Sequence, residues 1–245
     1  MAVKVGVIGV GRMGQRHCRV YANLRGAQLA GVADANPELG RHVAQQYEVP
    51  YYADMEALLD TVDAVSLVTP TPAHFDLARR CLERGVHVLV EKPITATLAQ
   101  AEALTAAAEA SGKVVMVGHI ERFNAAYIEL KNVLETLTPL AVNFRRLSAF
   151  AGSNTDVDVV LDLMIHDANL VLDLMGAEPA RVDAYGLTVV SGTIDHAVVN
   201  LGFAAGPLCA AGLVLLALSG AASAQGCGPA ATCAATECSS CGMSC

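Results

Sequence analysis

The chain has 245 residues and carries 16 Lys and Arg against 24 Asp and Glu, a formal net charge of −8. That length holds a full three-layer domain and a smaller second one. With no basic stripe to neutralise phosphates, the acidic balance excludes a nucleic-acid partner and leaves a small polar substrate as the expectation. Met1-Ala2-Val3-Lys4 runs straight into an apolar segment without the charged and long apolar parts of a signal peptide, so the cytoplasm is the expected compartment.

The apolar run at residues 3–8 reads as a buried strand and residues 12–24 as the helix after it. Between them stands Gly9-Val10-Gly11-Arg12-Met13-Gly14, and this strand-to-helix context turns a weak glycine pattern into a dinucleotide signature. Gly9 and Gly11 permit a tight turn and close backbone approach to a pyrophosphate. Gly14 lets the helix pack on the strand, while the amino end of the helix, with Arg12 and Met13 in its first turn, faces the anion. The second run, at residues 29–33, ends in Asp34, twenty residues beyond Gly14. A carboxylate there accepts hydrogen bonds from the adenine-ribose hydroxyls and repels a 2′-phosphate, which favours NAD over NADP. The alternative is a plain turn residue ahead of Asn36-Pro37, where Asn caps a helix and Pro takes its first position.

A weaker strand follows at Tyr51-Tyr52, then buried runs at residues 64–68, 86–90 and 114–117. Thr97-x-x-Gln100 opens a helix with a capping-box pattern, and Gly112 ends it. Strand and helix alternate throughout, the signature of an α/β fold with a doubly wound parallel sheet, a Rossmann domain over residues 1–122. From Phe123 the rhythm changes: a helix near 125–136, an extended run at 140–150, a helix over 158–175 stopped by Gly176, and strand-like runs at 180–190 and 196–204. That order predicts an α+β domain over 123–206, with a largely antiparallel sheet and its helix on one face.

After Gly206 the composition shifts to Ala, Gly, Ser, Leu and Cys, with no Lys or Arg and one acidic residue, Glu237. Residues 208–224 sit near the shortest apolar stretch that spans a bilayer, roughly 17 residues, but lack flanking basic residues. Cys238-Ser239-Ser240-Cys241 with Cys245 lacks the histidine of a good metal site, and a disulfide scaffold conflicts with a cytoplasmic protein. The expectation is a disordered tail over 207–245, a frameshifted or misassembled end that binds neither metal nor membrane.

Taken together, Gly9-x-Gly11-Arg12-Met13-Gly14, Thr69-Pro70 with His74, Glu91-Lys92-Pro93 and Asp162-x-x-x-His166 resemble the Gfo/Idh/MocA family of NAD(P)-dependent oxidoreductases, over about residues 2–206. Within it, residues 116–124 and 159–167 look most like the branch that oxidises the 3-hydroxyl of UDP-N-acetylglucosamine. The resemblance implies an NAD-dependent sugar dehydrogenase in which Lys92 stabilises developing alkoxide or ketone charge. His166 is the implied base, its unperturbed pKa being about 6.5, and Asp162 orients the imidazole or holds a substrate hydroxyl. Thr69, Pro70 and His74 are implied at the nicotinamide half of the cofactor, and Glu91 supports its ribose or anchors the loop. Arg122 and Asn124 border the cleft, and one of Arg145 and Arg146, Arg146 in the implied assignment, meets a nucleotide diphosphate, since adjacent strand residues face opposite ways. Periodicity alone reads the stripe Asp158, Asp162, His166, Asn169 and Asp173 as a solvent-facing side; the resemblance makes it part of the site. Family members usually continue well beyond residue 206 and are homo-oligomers, so the resemblance also implies a truncated second domain. The alternative function is a dinucleotide-binding fragment with an incomplete, inactive substrate domain.

Overall fold

A computed structural model describes residues 2–137, 139, 141–147, 158–189, 192–204 and 208–209. The first half alternates β1 (Val3–Ile8), α1 (Arg12–Asn23), β2 (Ala27–Ala33), α2 (Pro37–Gln46), β3 (Tyr51–Tyr52), α3 (Met55–Leu59), β4 (Ala64–Leu67), α4 (His74–Glu83), β5 (His87–Val90), α5 (Leu98–Ser111) and β6 (Val115–Val117). All six strands are parallel, in the order β3-β2-β1-β4-β5-β6. The chain therefore runs outward from β1 to β3 and returns to set β4 beside β1. The crevice where the order reverses is where open α/β sheets hold their ligands.

Alternating strand residues build a core on each face. Val7 and Val32 pack with Cys18, Val43 and Ala44 of α1 and α2, while Ile8, Val65, Leu67 and Val88 pack with Leu58, Cys81 and Leu104 of α3, α4 and α5. Burial pushes the Cys18 thiol up to about 11 and the Cys81 thiol, with Glu56 adding to it, up to about 12, so both are inert core residues. Local chemistry sets the helix ends. The Asn36 carboxamide accepts from the amides of Glu38 and Leu39 with Pro37 at the first position, and Gly112 ends α5 in the left-handed conformation. Only half of the expected capping box forms: Thr97 Oγ1 accepts the Gln100 amide at 3.3 Å, while Gln100 Oε1 is buried with no partner.

The second half holds α6 (Ala125–Leu134), α7 (Ile165–Met175), β7 (Arg181–Leu187), β8 (His196–Gly202) and β9 (Leu208–Cys209). The last three form an antiparallel sheet in the order β7-β8-β9. Ala197, Val199 and Leu201 of β8 face α7 and the turn before it, meeting Val159, Met164 and Val171, so the helix covers one face of this sheet. Residues 141–147 join no ladder among the described residues. Their exposure alternates all the same, with Val142, Phe144 and Arg146 half-buried and Arg145 exposed. The helix expected over 158–175 opens with a π-turn at Val160–Met164, in which the Ile165 amide reaches back to the Val160 carbonyl. Gly176 ends α7 as expected, at φ 57°. Apart from Leu208 and Cys209, which the sequence places in the tail, residues 207–245 with their cysteine cluster lie outside the described residues. Among the described residues, no helix is long and apolar enough to cross a membrane, and no group of three or more His, Cys, Asp and Glu could hold a metal.

Candidate active site

At the carboxyl ends of β1, β2 and β4 lies a cleft of about 390 Å³, lined by Gly9, Gly11, Asp34, Thr69 and Pro70 among others. Gly9 has φ +86°, and a Cβ on Gly14 would collide with the Gly9 carbonyl oxygen, so both positions are closed to other residues. Gly11 is different, because a Cβ there would meet nothing within 4 Å. That open space lies at the first turn of α1, which has no side-chain cap, so the helix end presents amides to whatever fills it. Asp34 is fixed at the end of β2: its Oδ2 accepts the Val10 amide and its Oδ1 the Asn36 amide, each at 2.7 Å. Thr69 Oγ1 is buried without a partner and the residue lines the same cleft. A buried orphan hydroxyl, an open cradle and a held carboxylate fit a dinucleotide.

His74 is 1% exposed and spans two loops, with Nδ1 2.9 Å from the Pro93 carbonyl oxygen and Nε2 2.8 Å from that of Thr69. It sits behind the cleft and ties together the segments that follow β4 and β5. Past the end of β5, the peptide between Lys92 and Pro93 is cis. The Lys92 ammonium donates to both the carbonyl oxygen and Oδ1 of Asp162, at 2.7 and 2.8 Å. Asp162 lies in the π-turn ahead of α7, a device frequent at functional sites. His166 follows on α7; its Nδ1 is buried and has no hydrogen-bond partner. Burial, then the charges of Lys92 and Arg146, hold its imidazole below the ordinary pKa despite Glu121 and Asp167. The ring is therefore neutral at physiological pH, as a base must be.

The sequence matches the profile of the Gfo/Idh/MocA oxidoreductase family, NAD-binding Rossmann fold, over residues 3–119. The solved structure of UDP-N-acetylglucosamine 3-dehydrogenase GnnA from Acidithiobacillus ferrooxidans is 37% identical, with a TM-score of 0.81 over 87% of this chain and 70% of that one. The chain belongs to the Gfo/Idh/MocA oxidoreductase family. A curated UDP-N-acetylglucosamine 3-dehydrogenase of A. ferrooxidans is 41% identical over 195 residues, 80% of this chain and 61% of its own length. The inositol 2-dehydrogenase/D-chiro-inositol 3-dehydrogenase of Shouchella clausii is 35% identical over 74% of this chain and 56% of its own length. GenD2 of gentamicin A biosynthesis, solved in complex with NAD, is 25% identical with a TM-score of 0.78 over 87% of this chain and 66% of that one. This Gfo/Idh/MocA chain thus spans 61% and 56% of the two curated relatives.

Three residues expected at the substrate have protein partners in this family member. Arg122 Nε donates to Asn169 Oδ1 at 2.9 Å, and its Nη2 pairs with Asp173 at 3.0 Å. Asn124 caps α6, its Oδ1 accepting the Ala126 amide at 3.0 Å. Arg146 grips the Asp167 carboxylate with Nε and Nη2, at 3.2 and 2.9 Å, and reaches Glu121 at 3.4 Å. The polar stripe of α7 is not a solvent-facing side. Asp158 Oδ1 takes the Leu161 amide, Asp162 meets Lys92, Asn169 meets Arg122, and Asp173 accepts from Tyr127 and Lys131.

The structure also adds two members, His119 and Asp167, that lie within the stretches 116–124 and 159–167 but to which the sequence assigned no role. His119 forms the centre of an inverse γ-turn after β6, at φ −77° and ψ 70°, with the Ile120 amide donating to the Gly118 carbonyl. Its Nδ1 is buried without a partner, like that of His166. Burial, then the charges of His166, Arg122 and Lys92, hold its pKa below the ordinary value despite Glu91. Asp167, 3% exposed, sits beside His166 in sequence and holds Arg146. The signal for His119 was its place two residues past a strand's carboxyl end, where this fold puts its ligands.

Proposed function

We propose that the chain is an NAD-dependent oxidoreductase that takes a hydride from a secondary hydroxyl-bearing carbon of a sugar, with UDP-N-acetylglucosamine at C3 as the first substrate to test. The observation that carries this reading is the Lys92 ammonium held by Asp162 beside the neutral, half-buried His166. Lys92 has three N–H donors and gives two to Asp162, leaving one for a substrate oxygen. His166 accepts the hydroxyl proton as the C–H bond yields its hydride, and Lys92 stabilises the charge that develops on that oxygen. Bound NAD supplies the hydride acceptor at its nicotinamide. Gly9, Gly11 and Gly14 with the amides of Arg12 and Met13 would hold its pyrophosphate, Asp34 its adenine ribose, and Thr69 with Pro70 its nicotinamide half.

The test is reduction of NAD followed by absorbance, with UDP-N-acetylglucosamine and a panel of sugars and inositols. Turnover with none of them by the folded protein overturns the reading. Its acidic limb is expected below about 6.5, the ordinary imidazole value, because the His166 pKa is lowered and the base stays unprotonated to lower pH. A limb above that value contradicts His166 as the base. NADP is expected to work poorly because its 2′-phosphate would meet Asp34. Asp34→Ser is expected to narrow the preference for NAD about tenfold or more, and equal use of both cofactors by the unaltered protein removes this role.

The division into a cofactor domain over 1–122 and a substrate domain over 123–206, a cytoplasmic location and a homo-oligomeric state belong to the same proposal. The separation of the two sheets supports the first, and exposed Val182, Tyr185 and Leu187 on β7 support the last. The same exposed residues favour a second reading, a dinucleotide-binding fragment with an incomplete substrate domain. It is distinguished by NAD binding in calorimetry without turnover.

A further inference from the structure

A chain of polar side chains runs through the sheet domain beneath the site. The Tyr21 hydroxyl lies 2.7 Å from Ser66 Oγ, Ser66 Oγ lies 3.1 Å from His17 Nδ1, and His17 Nε2 lies 3.1 Å from Glu91 Oε1. The Lys92 amide then donates to Glu91 Oε2 at 3.2 Å. Ser66 is fully buried, and the His17 and Glu91 side chains are 15% and 12% exposed.

Donor accounting gives the chain a direction. An ionised carboxylate only accepts, so His17 Nε2 carries the proton that points at Glu91. In the neutral ring Nδ1 then accepts, Ser66 donates to it, and Tyr21 donates to Ser66. The Glu91 carboxyl stays ionised: burial pushes its pKa up, but the hydrogen bonds from His17 and from the Lys92 amide, with the Lys92 ammonium nearby, bring it below the ordinary value. The third side of the carboxylate is closed by Gly118, where a Cβ would sit 2.9 Å from Glu91 Oε1. Glu91 is thus clamped between α1, its own loop and the chain leaving β6. A histidine that merely filled the core would need no such ordered set of donors, nor one that ends on the backbone of Lys92.

We infer that His17 is a positioning residue for Lys92: as the Nε2–H tautomer it holds Glu91, and Glu91 holds the Lys92 backbone so that the ammonium reaches Asp162 and the substrate oxygen. This rests on the reading of Lys92 given under Proposed function. It also links α1, whose first turn faces the dinucleotide cleft, to the residue that faces the sugar.

Two variants separate positioning from packing. In His17→Gln the terminal amide nitrogen falls where Nε2 was and still donates to Glu91, whereas His17→Asn is too short to reach it. By nuclear magnetic resonance on protein labelled with nitrogen-15, His17 is expected as the Nε2–H tautomer. The Lys92 amide resonance is expected to move in His17→Asn and to stay in His17→Gln. In turnover, His17→Asn is expected to lose about tenfold to a hundredfold in kcat, with NAD affinity and sugar KM within about twofold, and His17→Gln to recover most of it. An Nδ1–H tautomer, an unmoved Lys92 amide in His17→Asn, or equal losses in both variants overturns the inference. An unaltered protein with no turnover overturns the sugar-dehydrogenase reading instead, and the tautomer and the Lys92 amide then decide the role of His17 alone.

Discussion

Replacing Lys92 by methionine is expected to lower kcat about a thousandfold while leaving NAD affinity within about threefold. Methionine keeps the length and apolar stem of the side chain but removes the only group that can donate to a substrate oxygen from this position. A thousandfold corresponds to about 4 kcal/mol of transition-state stabilisation, in the range for a charged donor acting where water is excluded. A second signature comes from His166, whose pKa the Lys92 ammonium helps to hold down. Without that charge the imidazole protonates more readily, so the acidic limb of any residual activity moves to higher pH. Stopped and steady-state assays on Lys92→Met, with calorimetry for NAD, check both. A variant that keeps a tenth or more of the original kcat would rule out the assigned role.

The largest effect on stability is expected at Arg146. Its guanidinium holds Asp167 by two hydrogen bonds, and Asp167 is 3% exposed. Arg146→Met strands a buried carboxylate, and breaking such a pair from one side costs about 3 to 5 kcal/mol. The Arg146 side chain is 30% exposed, so water takes over part of its role and the lower end, about 3 kcal/mol, is expected. For a chain of this size that lowers Tm by roughly 6–12 °C. Arg146→Met combined with Asp167→Leu is expected to regain most of the loss, because the buried carboxylate is gone and Glu121, the weaker partner at 3.4 Å, is 26% exposed and keeps water. Thermal unfolding of the four proteins completes the cycle. A single variant within 0.5 °C of the original would show that solvent already screens the pair, and a double variant no better than the single would locate the loss elsewhere.

Much of the fold was legible because its punctuation is local. Asn36-Pro37, Thr97, Gly112 and Gly176 act within one turn, and each marks a helix end in the structure. The parallel sheet followed from buried runs separated by helices, whereas the order of its strands is set by long-range pairing and comes from the structure. The π-turn had no such signal: residues 159–165 are an apolar run broken by Asp162, with neither Gly nor Pro to announce a widened turn. In the candidate site, the sequence singled out Lys92, Asp162 and His166 but could not assign their partners. Arg146 reads as a phosphate ligand until α7 brings Asp167 to it across 21 residues. His17 reads as one more helix residue until the pairing of β1, β4 and β5 puts Ser66 and Glu91 on either side of its ring, 49 and 74 residues away. Contacts set by topology leave no spacing pattern to read.

The cross-tie made by His74 has a consequence for motion. With one ring nitrogen at the Thr69 carbonyl and the other at that of Pro93, and the ring 1% exposed, the loops after β4 and β5 are packed against the same buried side chain, which donates to one of the two carbonyls in either neutral tautomer. The floor of the cleft and the strap that carries the ammonium travel as one plate. The opposite wall is joined to that plate at the Lys92–Asp162 pair, so the width of the sugar's entrance is governed by one ion pair between the β5 loop and the π-turn ahead of α7.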